Sequence, residues 1–139
     1  MMNLQLEIVT PDKVVLKDTV DEVVVPTTSG EITILPNHAP LLTRMKEGEL
    51  VIKKSQKVLY FAVLGGFLEV QNNNVNILAD YAVRAEDIEV AKAKEAEERA
   101  KNAMKQKANL RDFAMAESDL RKAILELKVA RRHRRTTPF

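Results

Sequence analysis

Glycine and proline are confined almost wholly to one part of this chain. All four glycines lie at or before Gly66 and four of the five prolines at or before Pro40, and neither occurs between Phe67 and Thr137. Glycine makes turns by reaching positive φ, and proline by fixing φ and removing a backbone donor. A stretch punctuated about every ten residues suits short strands and excludes long helices. A stretch without either residue can run on as helix. The distribution therefore predicts a β-sandwich N-terminal domain over residues 1–84, followed by a C-terminal antiparallel two-helix hairpin over residues 85–139.

Within the first part, strands are expected near residues 4–9, 14–16, 20–26, 31–35, 41–46, 50–54, 58–63, 67–71 and 75–78. Leu4, Leu6 and Ile8 alternate with Asn3, Gln5 and Glu7, the pattern of a strand buried on one face. Asn72-Asn73-Asn74 reads as a hairpin tip, because asparagine tolerates positive φ. Gly65-Gly66 lacks the Lys-Ser/Thr and the following helix of a phosphate loop, so it reads as a turn or bulge.

From Glu86 onward the composition becomes Ala, Glu, Lys, Arg and Leu, a helix-forming mixture. Asp87 is a candidate N-cap for the first helix and Asp112 for the second. Ala93, Ala96, Ala100 and Ala103 recur at spacings of 3, 4 and 3, and Phe113, Ala116, Leu120, Ala123, Leu127 and Ala130 continue the same period. An alanine seam buries little, at about 0.8 kcal/mol per carbon, against an ordering entropy of similar size. The hairpin is thus expected to hold marginally. Either it stays folded, or its leucine-bearing helix is released to pack elsewhere.

Charge and chemistry narrow the function further. The chain has no cysteine and two histidines, His38 and His133, in different segments, so neither thiolate chemistry nor a Cys/His metal cluster is available. The sequence predicts a non-enzyme with no metal. No basic n-region precedes an apolar run at the start, and no apolar stretch is long enough to span a bilayer, so direct membrane insertion is not expected. Residues 1–84 carry a net charge of −2 and residues 85–139 a net charge of +4. The sharpest feature is Arg131, Arg132, Arg134 and Arg135, with Lys128 one turn earlier. It reads as cations stabilising a helix C-terminus, or as a surface for an acidic partner. Nucleic acid is the lesser alternative, that of a free-standing regulatory module, since no aromatics interleave the cluster.

Residues 30–43, Gly-Glu-Ile-Thr-Ile-Leu-Pro-Asn-His-Ala-Pro-Leu-Leu-Thr, form a strand stopped by Pro36, Asn37 and Pro40. They read as a connection between two strands or as a rigid contact surface. With Gly65-Gly66-Phe67-Leu68-Glu69-Val70, the opening Leu6-Glu7-Ile8-Val9-Thr10-Pro11-Asp12 and the later Arg84-Ala85-Glu86-Asp87-Ile88, this chain resembles the epsilon subunit of bacterial F-type ATP synthases over essentially its whole length. Thr33 departs from the family, which often has glycine there.

The resemblance implies a non-catalytic central-stalk (rotor) subunit that couples ion transport to ATP synthesis and inhibits ATP hydrolysis. It implies a sandwich attached to the gamma subunit and to the c subunits of the membrane rotor ring, with Glu31 and His38 at the ring. It also implies a hairpin that reaches the alpha/beta catalytic head. There Arg121, Lys122, Lys128, Arg131, Arg132, Arg134 and Arg135 would meet an acidic segment of a beta subunit. The location implied is peripheral, on the cytoplasmic face of the bacterial cell membrane. Some members bind ATP through an Ile-Asp-x-x-Arg-Ala motif. The matching residues are Ile88, Glu89, Lys92 and Ala93, with Arg99 kept, Val83 at an upstream acidic position and Glu126 in place of a later arginine. Lysine cannot reproduce the guanidinium fork, and Glu126 would repel phosphate. No cofactor is expected, and ATP binding is expected to be weak or absent.

Overall fold

The computed structural model describes residues 3–106 and 109–134, the last of these by its backbone. The chain divides into two compact units, Met1–Arg84 and Ala85–Phe139. The first holds ten strands: β1 (Leu4–Val9), β2 (Val14–Val20), β3 (Glu22–Thr27), β4 (Gly30–Ile34), β5 (Leu41–Arg44), β6 (Gly48–Lys54), β7 (Lys57–Leu64), β8 (Phe67–Gln71), β9 (Asn74–Leu78) and β10 (Tyr81–Arg84). They form two five-stranded sheets, ordered β2-β1-β9-β8-β5 and β10-β7-β6-β3-β4. All pairings are antiparallel except β1 with β9. The expected β-sandwich is present, followed by the two expected helices.

Period-two alternation builds the core. Leu4, Leu6 and Ile8 of β1, Leu68 and Val70 of β8, and Val75 and Ile77 of β9 point inward from the first sheet. Val23 and Val25, Leu50 and Ile52, and Phe61 and Val63 answer them from the second. All are buried, and at about 25 cal/mol per Å² of apolar area this aliphatic layer is the main stabilising term.

Two of the five connections that carry the chain between sheets lie side by side. One is Gly65-Gly66, between β7 and β8; the other is Ala79-Asp80, between β9 and β10. Both glycines have positive φ, +52° and +107°, as the expected turn requires. The Met45 N–H donates to Gly66 O at 2.8 Å and the Asp80 N–H to Leu64 O at 3.1 Å. The Asn72-Asn73 tip also behaves as expected, with φ of 50° and 63°.

Differences from the sequence reading have local causes. β2 runs on to Val20, although Lys17 and Asp18 look like turn residues. Their polarity is satisfied instead: Lys54 Nζ of β6 donates to both Asp18 carboxylate oxygens at 2.8 Å, and the Thr19 N–H donates to Asp18 Oδ1 at 2.8 Å. β10 went unread because it is four residues long and buries only Ala82 fully.

The Lys54 hydrogen bonds, then the Thr19 N–H and the charge of Lys54, outweigh desolvation and hold the Asp18 carboxyl below its ordinary value. A depressed carboxyl pKa adds stability that is present above the unfolded value near 3.8 and lost as pH falls through the folded one. The pair is part-exposed, so the amount is below about 1 kcal/mol. Urea midpoints of the wild type and Asp18→Asn are therefore expected to differ at pH 6 and to converge as pH falls from 3.8 through the lowered folded value. A gap that persists at low pH would assign the loss to something other than the carboxylate charge.

The second unit contains a 3-10 turn at Ala85–Asp87, then α1 (Val90–Lys105) and α2 (Leu110–Arg134). Asp87 does not cap α1. It lies in the 3-10 turn, and Glu89 takes the N-cap position without a side-chain cap bond. Nor does Asp112 cap α2 alone. Asn109 Oδ1 accepts the Asp112 N–H at 2.8 Å, and Asn109 Nδ2 donates back to Asp112 Oδ2 at 3.0 Å. The cap is thus three residues earlier than expected, with Asp112 as its reciprocal partner.

The α1–α2 seam is present but shorter than the periodicity suggests. Ala93, Ala100, Ala116, Ala123, Leu127 and Ala130 are buried, while Ala103 and Phe113 are exposed. Leu125 and Val129 are buried too, on the side of α2 roughly opposite the seam, given about 100° of rotation per residue. The 3-10 turn packs on α2. The C-terminal half of α2 therefore buries two faces, more than a marginal alanine seam requires.

Candidate functional site

Among the described residues no group of three His, Cys, Asp or Glu side chains could hold a metal, and no helix is long and apolar enough to cross a membrane. Three surfaces stand out.

The first is the outer face of the sheet containing β1 and β8. Because strand side chains alternate, positions flanking the core residues face outward. Register places Arg44, Phe67, Leu78, Val9 and Val14 side by side across all five strands. Phe67 is 47% exposed, Leu78 52% and Val14 57%, with Leu42 at 70% one pair further along β5. The Arg44 guanidinium lies 5.7 Å from the centre of the Phe67 ring. The adjoining row, Leu42, Glu69, Asn76, Glu7 and Lys17, is mostly polar. An apolar band bordered by polar residues is the composition of a protein-binding surface. Sequence reasoning missed it. The available signal was an apolar residue at the outward phase of the period, as at Phe67 and Leu78.

The second surface runs along β4, an edge strand. Glu31 sits beside the β3–β4 turn, opposite Pro26. His38 lies past the far end of β4, in a turn closed by its N–H to Leu35 O at 3.1 Å, with His38 Nδ1 2.7 Å from Ala39 O. The two residues share one edge but stand at opposite ends of it.

The third surface is on α2. Arg121, Lys128, Arg131 and Arg132 fall within about 100° of arc, with exposed Ile124 among them. Lys122 points about 100° away from this group, toward the Leu125 side. Glu117 holds Arg121 at 3.5 Å. Between α1 and α2 a groove of about 610 Å³ is lined by Glu97, Ile124, Leu127, Lys128, Arg131 and Arg132. The side chain of Arg134 and all of Arg135 lie outside the described residues.

The positions of the nucleotide motif differ in burial. Ile88 is 1% exposed and Ala93 is buried in the seam. Glu89 and Lys92 are exposed and pair with each other at 3.1 Å. Arg99 is exposed.

Comparison with known proteins agrees with this architecture. Residues 3–85 match the family described as ATP synthase, Delta/Epsilon chain, beta-sandwich domain. Residues 86–131 match that described as ATP synthase, Delta/Epsilon chain, long alpha-helix domain. The chain is similar to the ATP synthase epsilon chain of Herpetosiphon aurantiacus, 44% identical over 133 residues, covering 96% of this chain and 98% of the relative. It is also similar to that of Desulforamulus reducens, 45% identical over 126 residues, covering 91% and 96%. Among solved structures, a chain of the Euglena gracilis mitochondrial ATP synthase (OSCP/F1/c-ring) shares the fold. Its TM-score is 0.75 at 24% identity, over 96% of this chain and 83% of that one.

Proposed function

The chain belongs to the ATP synthase delta/epsilon chain family, and from that premise we propose that it is a non-catalytic rotor subunit of the central stalk. It joins the gamma subunit to the ring of c subunits and restrains ATP hydrolysis through its helices. The observation that carries this reading is the apolar row Phe67, Leu78, Val9 and Val14, bordered by Leu42 and Arg44, on the outer face of the sandwich. A subunit that transmits torque has to be held by a wide, desolvated contact, and this band supplies one for gamma. The β4 edge and the His38 turn face the ring. The enzyme would lie at the cytoplasmic face of the bacterial membrane, with this chain peripheral to the bilayer. Recovery from membranes in mild salt tests the reading: gamma and beta subunits should accompany the chain. Recovery with nucleic acid instead would favour a free-standing module.

The cationic face of α2 supports the inhibitory part. Replacing Arg131, Arg132, Arg134 and Arg135 by alanine leaves Leu127, Ala130 and the rest of the seam in place, so the hairpin should still form. Loss of the helix-end cations costs roughly 0.3–1 kcal/mol each. If these cations dock on an acidic segment of a beta subunit, hydrolysis by the assembled enzyme rises severalfold, and added salt reproduces part of the rise in the unaltered enzyme. Unchanged hydrolysis would remove electrostatics from the mechanism.

No nucleotide cofactor enters this proposal, since Lys92 cannot supply a guanidinium fork at the degenerate motif. A ligand at 100 times its Kd stabilises by about 2.7 kcal/mol, so a marked rise in Tm at micromolar MgATP would contradict it.

A further inference from the structure

At the His38 end of the sandwich a side chain of the β8–β9 tip bonds the turn that follows β4. Asn73 sits at the β8–β9 tip with φ of 63°, and Asn37 lies in the turn after β4 with φ of 69°. The Asn73 Oδ1 accepts the Asn37 backbone N–H at 2.6 Å, across 36 positions of sequence. Asn73 is anchored in turn, because its carbonyl accepts the Gln5 N–H at 2.8 Å. The β8–β9 tip is thus tied to the start of β1, and its side chain reaches the connection that leads from β4 into β5.

The turn so held is the one that presents His38. Pro36 and Pro40 have no N–H, and the His38 ring rests against the Ala39 carbonyl. The bond to Asn73 adds a tie between the turn and the sheet containing β1 and β9, beside the β5–β8 pairing that begins at Leu41 and Val70. We propose that Asn73 is a positioning residue that fixes the Pro36–Pro40 turn for contact with the rotor ring. The proposal rests on the reading that this turn faces the ring.

Position 73 asks for two separable things. A residue at φ of 63° is best served by glycine, and asparagine and aspartate tolerate it. The acceptor is lost in glycine and alanine but kept in aspartate. Asn73→Gly, Asn73→Ala and Asn73→Asp therefore distinguish a backbone role from a positioning one. Two readouts are needed: amide exchange at Asn37 in the full chain, and ATP-driven ion pumping relative to hydrolysis in membrane vesicles holding the whole enzyme.

A net hydrogen bond corresponds to about a fivefold change in equilibrium. Exchange at Asn37 is expected to speed about fivefold in the glycine and alanine variants, with a fall in the pumping ratio of similar size. The aspartate variant should keep both within about twofold of wild type. Glycine indistinguishable from wild type in exchange, or aspartate no better than alanine, would overturn the latch. Faster exchange with an unchanged pumping ratio would overturn its role in the contact. A further variant, His38→Glu, separates the two readings. If it too leaves the ratio unchanged, the ring-facing reading of the turn has failed; if it lowers the ratio, only the role of Asn73 has.

Discussion

A Phe67→Glu, Leu78→Lys double variant is expected to fold like the wild type and to lose the gamma subunit. Phe67 and Leu78 are register partners on neighbouring strands, both outward and about half-exposed. Opposite charges placed directly across a strand pair attract, so the substitutions should cost the isolated chain under about 0.5 kcal/mol. At an interface the same change removes two apolar anchors and places two charges in a desolvated contact. Such anchors are worth about 2–4 kcal/mol each, so affinity for gamma should fall at least ~1,000-fold. Titration of the full chain with gamma, beside a thermal melt, checks both halves. An unaltered Kd in a folded variant would remove this face from the attachment surface.

Gly66→Ala should act at the opposite extreme, on the fold itself. Gly66 has φ of +107°, a conformation that side-chain-bearing residues rarely take. A Cβ there would fall on the carbonyl oxygen of Leu78 and within 2.8 Å of Ala79 Cα. Those atoms belong to the backbone of the second crossover, so neither can swing aside as a flexible side chain would. Strain and overlap of this kind each cost about 1–3 kcal/mol. A total of about 3–5 kcal/mol would lower Tm by roughly 15–30 °C for a domain of this size. Gly30→Ala is the fitting control. Its φ is also positive, but nothing lies within 4 Å of the added Cβ. Equal losses in the two variants would show that backbone conformation alone matters and that the close approach does not.

How much could be read beforehand depended on whether a signal was periodic or positional. Alternation over Leu4–Val9 and Phe67–Gln71 matched those strands to the residue, because each buries every second side chain. The helices were legible from composition and from a seven-residue period. What escaped reading needs a partner in space. The ion pair that lets β2 continue through Asp18 comes from β6. The second buried side of α2, Leu125 and Val129, carries no period of its own. The apolar row across β5, β8, β9, β1 and β2 takes single residues from five separate segments and becomes a surface only once register aligns them. Glu31 and His38 look like neighbours in a short motif, yet the rest of β4 and a turn stand between them.

The parallel pairing of β1 with β9 has a consequence for the order in which the sandwich can exist. β9 occupies the middle of its sheet, with β1 and β2 on one side and β8 and β5 on the other. During synthesis the β1–β2 hairpin emerges first and has only its own edge to offer until Asn74 to Leu78 arrive. Closing that contact spans most of the domain, the kind of non-local pairing that slows folding and leaves strand edges open meanwhile. On the ribosome the first strand made is therefore among the last to be enclosed. The sheet is completed from its centre, by a segment that leaves the exit tunnel just ahead of the helices.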